Sequence, residues 1–247
     1  MEKELKKGFV PVMLTPFEKN GEVDGKTLTR LTTMYLEAGA TGLFANCLSS
    51  EMYELTASER LKIIGQVVRD AKGAVPVVAT GSFGSDMVQQ ADFIKRVYDQ
   101  GVEAVILITG LLANAGENEI IFEERMSTLL KLTKDVPLGF YECPVPYKRV
   151  LTPKQLGRFV QTSRVVYHKD TSLDIENIRG KIKASAGYHF GLYDAYMGHA
   201  VLSLKAGAAG LSCIQGNFFP ELVVWLCDNY DNGSREAEVA EVQQFFT

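Results

Sequence analysis

Val165-Val166-Tyr167-His168-Lys169-Asp170 is a short apolar run that closes on ionisable residues, and stretches with helical periodicity flank it. The run reads as a buried strand with a charged carboxyl end. In a closed parallel barrel the strand carboxyl ends form the active face, so a lysine placed there is read as chemistry before stability. Lysine is rarely buried without a partner or a function.

Seven similar runs are found on either side of it. Together the eight cover residues 9–14, 41–45, 75–80, 104–109, 137–142, 165–169, 189–193 and 209–214. Stretches of helical period separate most of them, which is the pattern of repeated βα units. Thr56-Ala57-Ser58-Glu59 is a capping-box sequence, and Thr152-Pro153 opens a helix with proline in its first turn. Gly39, Gly73, Gly101 and Gly207 each follow a helical stretch and precede a strand, as C-cap glycines do. A doubly wound sheet would carry a glycine-rich phosphate loop after its first strand, whereas that turn here is Thr15-Pro16-Phe17. Gly81-Ser82-Phe83-Gly84 lacks the full spacing of such a loop. Eight units therefore predict an α/β fold of the (β/α)8 TIM-barrel type. One domain is expected over residues 1–247, with the barrel proper at about 8–230 and the start of a C-terminal helix in 231–247.

Composition narrows the function classes. The 247 residues are 46% apolar and 23% charged, with a formal net charge of −4. That balance argues against a nucleic-acid partner, which would need a basic face. Cys47, Cys143, Cys213 and Cys227 show neither C-x-x-C pairing nor a disulfide framework, consistent with a reducing cytoplasm. Residues 1–7 lack the apolar core of a secretory leader, and no apolar run is long enough to cross a membrane.

Period-two alternation places Tyr167 and Lys169 on one face of the sixth strand and His168 on the other. An amine held among apolar neighbours loses its charge and can attack a carbonyl carbon to form an imine. From this strand alone a second reading stands beside it: an ammonium paired with Asp170 or a loop carboxylate. Leu138-Gly139-Phe140-Tyr141-Glu142-Cys143-Pro144 adds Tyr141 one strand earlier, either as a proton-transferring phenol or as a packed core tyrosine. His168, His189 and His199 have no ligand spacing, so no metal is expected. Cys47, Cys143 and Cys213 fall at strand ends and read as small buried hydrophobes.

Several of these residues together resemble one family. They are Thr15-Pro16-Phe17, Ser49-Ser50-Glu51 followed by Leu55-Thr56-Ala57-Ser58-Glu59-Arg60, Phe140-Tyr141-Glu142-Cys143-Pro144, Lys169-Asp170, and Asn217 with Pro220. The set is similar to the dihydrodipicolinate synthase and N-acetylneuraminate lyase family, over residues 8 to 230. The resemblance implies a Schiff-base lysine at Lys169, a proton-transferring tyrosine at Tyr141, 2-oxo acid and aldehyde substrates, no metal or cofactor, and a homo-oligomer, commonly a tetramer. It also implies that the family's C-terminal helical extension is largely absent here.

Departures from the family pattern are informative. Leu48 replaces a relay threonine, while Ser49 keeps a hydroxyl at the carboxylate-binding position. Thr109-Gly110-Leu111-Leu112-Ala113 replaces a tyrosine pair, with Leu112 at a relay position. The arginine of many synthases aligns near Pro146, with Lys148 and Arg149 displaced from it, so dihydrodipicolinate synthesis itself is not expected. Tyr167-His168 replaces a glycine-isoleucine pair and would crowd the pocket.

The leading expectation is a class I lyase or aldolase with Lys169 and Tyr141 as catalytic residues. Substrate contacts are expected from Leu48, Ser49, Ser50, Tyr167, Cys213 and Asn217. Alternatives are a 2-oxo acid binding or regulatory barrel with impaired catalysis, a Schiff-base dehydratase of a sugar acid, and a sugar-phosphate enzyme. The last has only Gly216 and no cationic partner to recommend it.

Overall fold

Each of the eight apolar runs forms a strand in the computed structural model, which describes residues 7–84 and 86–247. Residues 1–6, on which most of the leader reading rests, lie outside them. The strands are β1 (Gly8–Phe9), β2 (Leu43–Ala45), β3 (Val77–Thr80), β4 (Ala104–Ile108), β5 (Leu138–Tyr141), β6 (Val165–Asp170), β7 (Gly191–Asp194) and β8 (Gly210–Leu211). Between and after them run α1 (Gly25–Glu37), α2 (Ala57–Ala71), α3 (Met87–Tyr98), α4 (Thr109–Leu112) and α5 (Glu119–Thr133). They are followed by α6 (Pro153–Val160), α7 (Ile175–Ala184), α8 (Ala200–Ala206), α9 (Pro220–Asn229) and α10 (Glu236–Phe245).

All seven ladders are parallel, in the order β1-β8-β7-β6-β5-β4-β3-β2. A parallel bridge between Val12 and Phe44 joins the continuation of β1 to β2 and completes the circuit. The result is a (β/α)8 barrel and not a doubly wound sheet. The β1 ladder is shorter than the run at 9–14 because Pro11 has no amide hydrogen to donate. At the other end of the chain, β8 stops early because residues 214–217 coil into a 3-10 turn.

Local signals explain the helix boundaries. Thr56 accepts from the Glu59 amide at 3.2 Å while its own amide donates to the Glu59 carboxylate at 2.7 Å, closing the capping box of α2. Thr152 and Gln155 do the same at α6, with Pro153 in the first turn. Gly207 ends α8 at φ +111°, a backbone shape that a Cβ would strain. Among the described residues no helix is long and apolar enough to cross a membrane.

Side chains divide into two cores. Inside the barrel pack Val12, Phe44, Ile106, Ile108, Tyr141 and Tyr167; outside it, strand residues such as Leu107 and Phe140 meet the helices. Both faces of β4, Ala-Val-Ile-Leu-Ile, are buried, as a parallel sheet covered on both sides requires. Gly139 is required by its neighbours, since a Cβ there would stand 2.6 Å from Ile106 Cδ1 and 2.9 Å from Tyr167 Cβ. Its missing side chain admits Tyr167 to the interior, and the β5–β6 register shifts beside it.

Phe140 sits between Phe122 of α5 and Phe159 of α6, at ring-centroid distances of 6.2 and 5.7 Å. Truncating Phe140→Ala is expected to cost about 3–5 kcal/mol in urea unfolding. A loss below ~1 kcal/mol would show that this aromatic layer does not fasten the helices to the sheet.

Candidate functional site

Tyr141 and Lys169 are paired across β5 and β6, and Tyr193 of β7 pairs with Lys169 from the other side. The alternation that turns Lys169 inward places its Nζ 4.3 Å from the Tyr141 ring centroid and 5.9 Å from that of Phe44. Lys169 is only 4% exposed. Burial pulls its pKa below the ordinary lysine value. No ion pair reaches its Nζ among the described residues. Asp170 faces the other way, with its carboxylate on Lys181 and Ser172, so it is not the partner of Lys169.

Tyr141 is buried, and burial, then Cys143 and Cys47, push its phenol well above the usual range. A phenol so shifted holds its proton at neutral pH. Tyr167 points inward one layer below Lys169 and stacks on Tyr193 at 4.7 Å and 19°, forming an aromatic floor. Its hydroxyl is buried with no hydrogen-bond partner among the described residues.

The loop after β2 forms the next wall. Asn46 and Glu51 have left-handed backbones at φ 53° and 56°, and a 3-10 turn over Leu48–Ser50 lies between them. The Ser50 hydroxyl donates to Met13 O at 2.6 Å and accepts from the Cys47 amide at 2.9 Å, so it holds the loop instead of facing a ligand. Ser49 is half-buried and Leu48 packs on the barrel-interior cluster. As the first residues of a 3-10 turn, both have amides without partners within the turn.

Tyr53, from the same loop, is not marked out by any sequence pattern. Its hydroxyl donates to Val145 O at 2.7 Å, and its ring lies against the interior cluster that contains Tyr141 and Cys143. A tyrosine two residues beyond a strand-end serine-glutamate loop is the one available signal, and no periodicity strengthens it.

The remaining expected residues are spread more widely. Cys213 is buried near Lys169, its thiol pushed up to about 11, with burial the main cause. Asn217 accepts from the Tyr35 hydroxyl at 2.8 Å, tying the loop after β8 to α1. Leu112 is buried in the outer core, whereas Leu111 packs on the interior cluster. Arg149 is committed elsewhere: it pairs with Glu119 at 2.9 Å and donates to Glu117 O at 2.6 Å, fastening the loop before α5. Lys148 donates to Thr171 O at 2.8 Å.

On the outer side of the same strands, Glu142, His168, Asp170 and Lys181 form a fully buried group. Lys181 Nζ lies 2.5 Å from Glu142 Oε1 and 2.6 Å from Asp170 Oδ2. Sequence spacing gives no hint that Glu142, His168 and Asp170 converge to within 4.8 Å, a ligand-like arrangement whose cation is already supplied by Lys181. His199 lies 3.0 Å from Asp194, and His189 is exposed at the opposite end of the barrel.

Comparison with known proteins agrees with this architecture. The 4-hydroxy-tetrahydrodipicolinate synthase of Shewanella piezotolerans is 23% identical over 234 residues, which is 94% of this chain and 78% of that protein. The enzyme of the same name from Ruegeria pomeroyi is 26% identical over 216 residues, covering 87% and 72%. Among solved structures, YagE, a prophage protein of E. coli crystallised with pyruvate, superposes with a TM-score of 0.85 at 23% identity, covering 98% of this chain and 80% of that one. The dihydrodipicolinate synthase of Bacteroides thetaiotaomicron gives 0.86 at 24% identity with the same coverage. The sequence model of the Dihydrodipicolinate synthetase family matches residues 5–246, and the chain belongs to that family.

Proposed function

We propose that this protein is a class I lyase or aldolase that joins or separates a pyruvate-like 2-oxo acid and an aldehyde through an imine on Lys169. The observation that carries the reading is the buried, unpaired amine of Lys169 against the Tyr141 ring at the carboxyl face of the barrel. In the derived sequence of steps, the neutral amine attacks the ketone carbon and gives a carbinolamine. Tyr141 donates the proton that lets water depart, leaving a protonated imine. That imine is the electron sink when the bond between its α and β carbons breaks: the β-hydroxyl proton passes to the Tyr141 phenolate as the aldehyde leaves, the enamine left behind is reprotonated at its α carbon, and water hydrolyses the imine to free Lys169. The leading amides of the Leu48–Ser50 turn and the Ser49 hydroxyl are the carboxylate donors in this reading.

Burial of Arg149 against Glu119 supports an aldehyde partner without a second carboxylate, and therefore an activity other than dihydrodipicolinate synthesis. Leu48 favours a second reading: it puts an apolar side chain on the loop that would hold the substrate, and a barrel that binds 2-oxo acids without turnover would have the same walls.

Sodium borohydride with pyruvate is expected to leave a reduced adduct on the peptide containing Lys169, absent in Lys169→Arg. A wild-type protein that yields no adduct would sink the imine reading, and an adduct without turnover of any aldehyde would favour the binding barrel. Tyr141→Phe is expected to slow imine formation roughly 100-fold or more while the protein stays folded. Folding also disfavours the ammonium form of Lys169, because its native pKa lies below the unfolded value of 10.5. That cost is present below the unfolded pKa and fades as pH rises towards it. Lys169→Met is therefore expected to be more stable than wild type in urea at neutral pH, with the difference narrowing towards pH 10.5; an advantage independent of pH would contradict this account.

A further inference from the structure

Chemistry at Lys169 uses only the inner faces of β5 and β6. Their outer faces carry four ionisable side chains, each 0% exposed: Glu142, His168, Asp170 and Lys181. Glu142 directly follows Tyr141 and Asp170 directly follows Lys169, so the group backs onto the two residues of the proposed site. Lys181 reaches in from α7, with its Nζ 2.5 Å from Glu142, 2.6 Å from Asp170 and 3.3 Å from His168 Nε2. The carboxylates are also held from the loops: the Leu151 amide donates to Glu142 at 2.9 Å and the Ser172 amide to Asp170 at 2.7 Å.

Groups of both signs meet within this cluster. Burial and the Lys181 ammonium oppose an imidazolium, yet Glu142 and Asp170 outweigh them and raise the His168 pKa above its ordinary value. Burial would raise the Asp170 carboxyl, yet bonds and charge from His168 and Lys181 hold it well below the usual range. Two carboxylates then face the Lys181 amine and the His168 ring in a dry space. A residual negative charge there, across β5 and β6 from Lys169, would favour the ammonium form that cannot attack a carbonyl.

We propose that Lys181 is a positioning residue for Lys169: it ties α7 to the carboxyl ends of β5 and β6 and offsets the negative charge of the paired carboxylates behind them, which keeps the barrel-side amine uncharged. The inference rests on Lys169 being the reacting amine. The other groups facing Lys169 are Tyr141 and Cys143 from β5 and its end, Cys47 after β2, Cys213 after β8 and Tyr193 of β7. Burial keeps the phenols of Tyr141 and Tyr193 and the thiols of Cys143 and Cys213 protonated, because it raises the pKa of each.

The test reads the amine directly, without substrate. The Lys169 side-chain signal of carbon-13 lysine-labelled full-length protein, assigned by its loss in Lys169→Arg, is titrated by NMR. Lys181→Met leaves the group net negative and is expected to move the Lys169 midpoint up by about one pH unit. Glu142→Gln removes one of the negative charges and should move the midpoint down by a similar amount. The double variant Lys181→Met/Glu142→Gln removes one group of each sign and should return towards wild type. A single and double variant that shift alike, or three variants that titrate as wild type, would overturn the proposal. Should Lys181→Met not fold, Glu142→Gln decides, and a midpoint that fails to fall overturns it. Titrations that follow the charge pattern in a protein that traps no pyruvate would support the charge balance and reject the imine reading.

Discussion

The register between β5 and β6 is the constraint on which the rest depends. Tyr141 is paired with Lys169, and because side chains alternate along a strand, the next residue on each strand must face the helices. One register thus creates an aromatic amine site inside the barrel and an ionic group outside it. A slip of one residue would exchange the two, placing carboxylates in the barrel and the amine among helices. The slip is blocked by packing: Gly139 leaves room for Tyr167 alone, and Phe140 is wedged between Phe122 and Phe159.

Both sides solve the problem of burying charge, in different ways. Inside, Lys169 has no anion within reach among the described residues, and burial favours the neutral amine. Outside, Lys181 is met by two carboxylates that accept from it at 2.5 and 2.6 Å. Two buried lysines, one from β6 and one from α7, therefore meet opposite surroundings, one without an anion and one with two. What separates them is only which face of β6 each one meets.

At the mouth, side chains that could serve a ligand are divided between structure and site. Ser50, Asn217 and Arg149 spend their polar atoms on Met13, Tyr35 and Glu119 respectively. Ser49, Leu48 and Tyr53 remain at the rim. The barrel frame itself is shared with structures only 18–24% identical, at TM-scores of 0.83–0.86.

Local patterns were sufficient for the eight strands, the caps at Thr56 and Thr152, the inward direction of Lys169 and the outward direction of His168, because alternation and capping act over a few neighbouring residues. The strand limits at Pro11 and Ile214 moved by a few residues for equally local reasons. Sequence alone left Lys169 open between a free amine and an ion pair with Asp170. Only the folded barrel separates those two, since Asp170 finds its cation on α7, eleven positions along the chain. The same holds for Tyr53 reaching Val145 and for Arg149 turning to Glu119. Such partners are chosen by closure of the barrel, and no spacing along the chain encodes a distance across it.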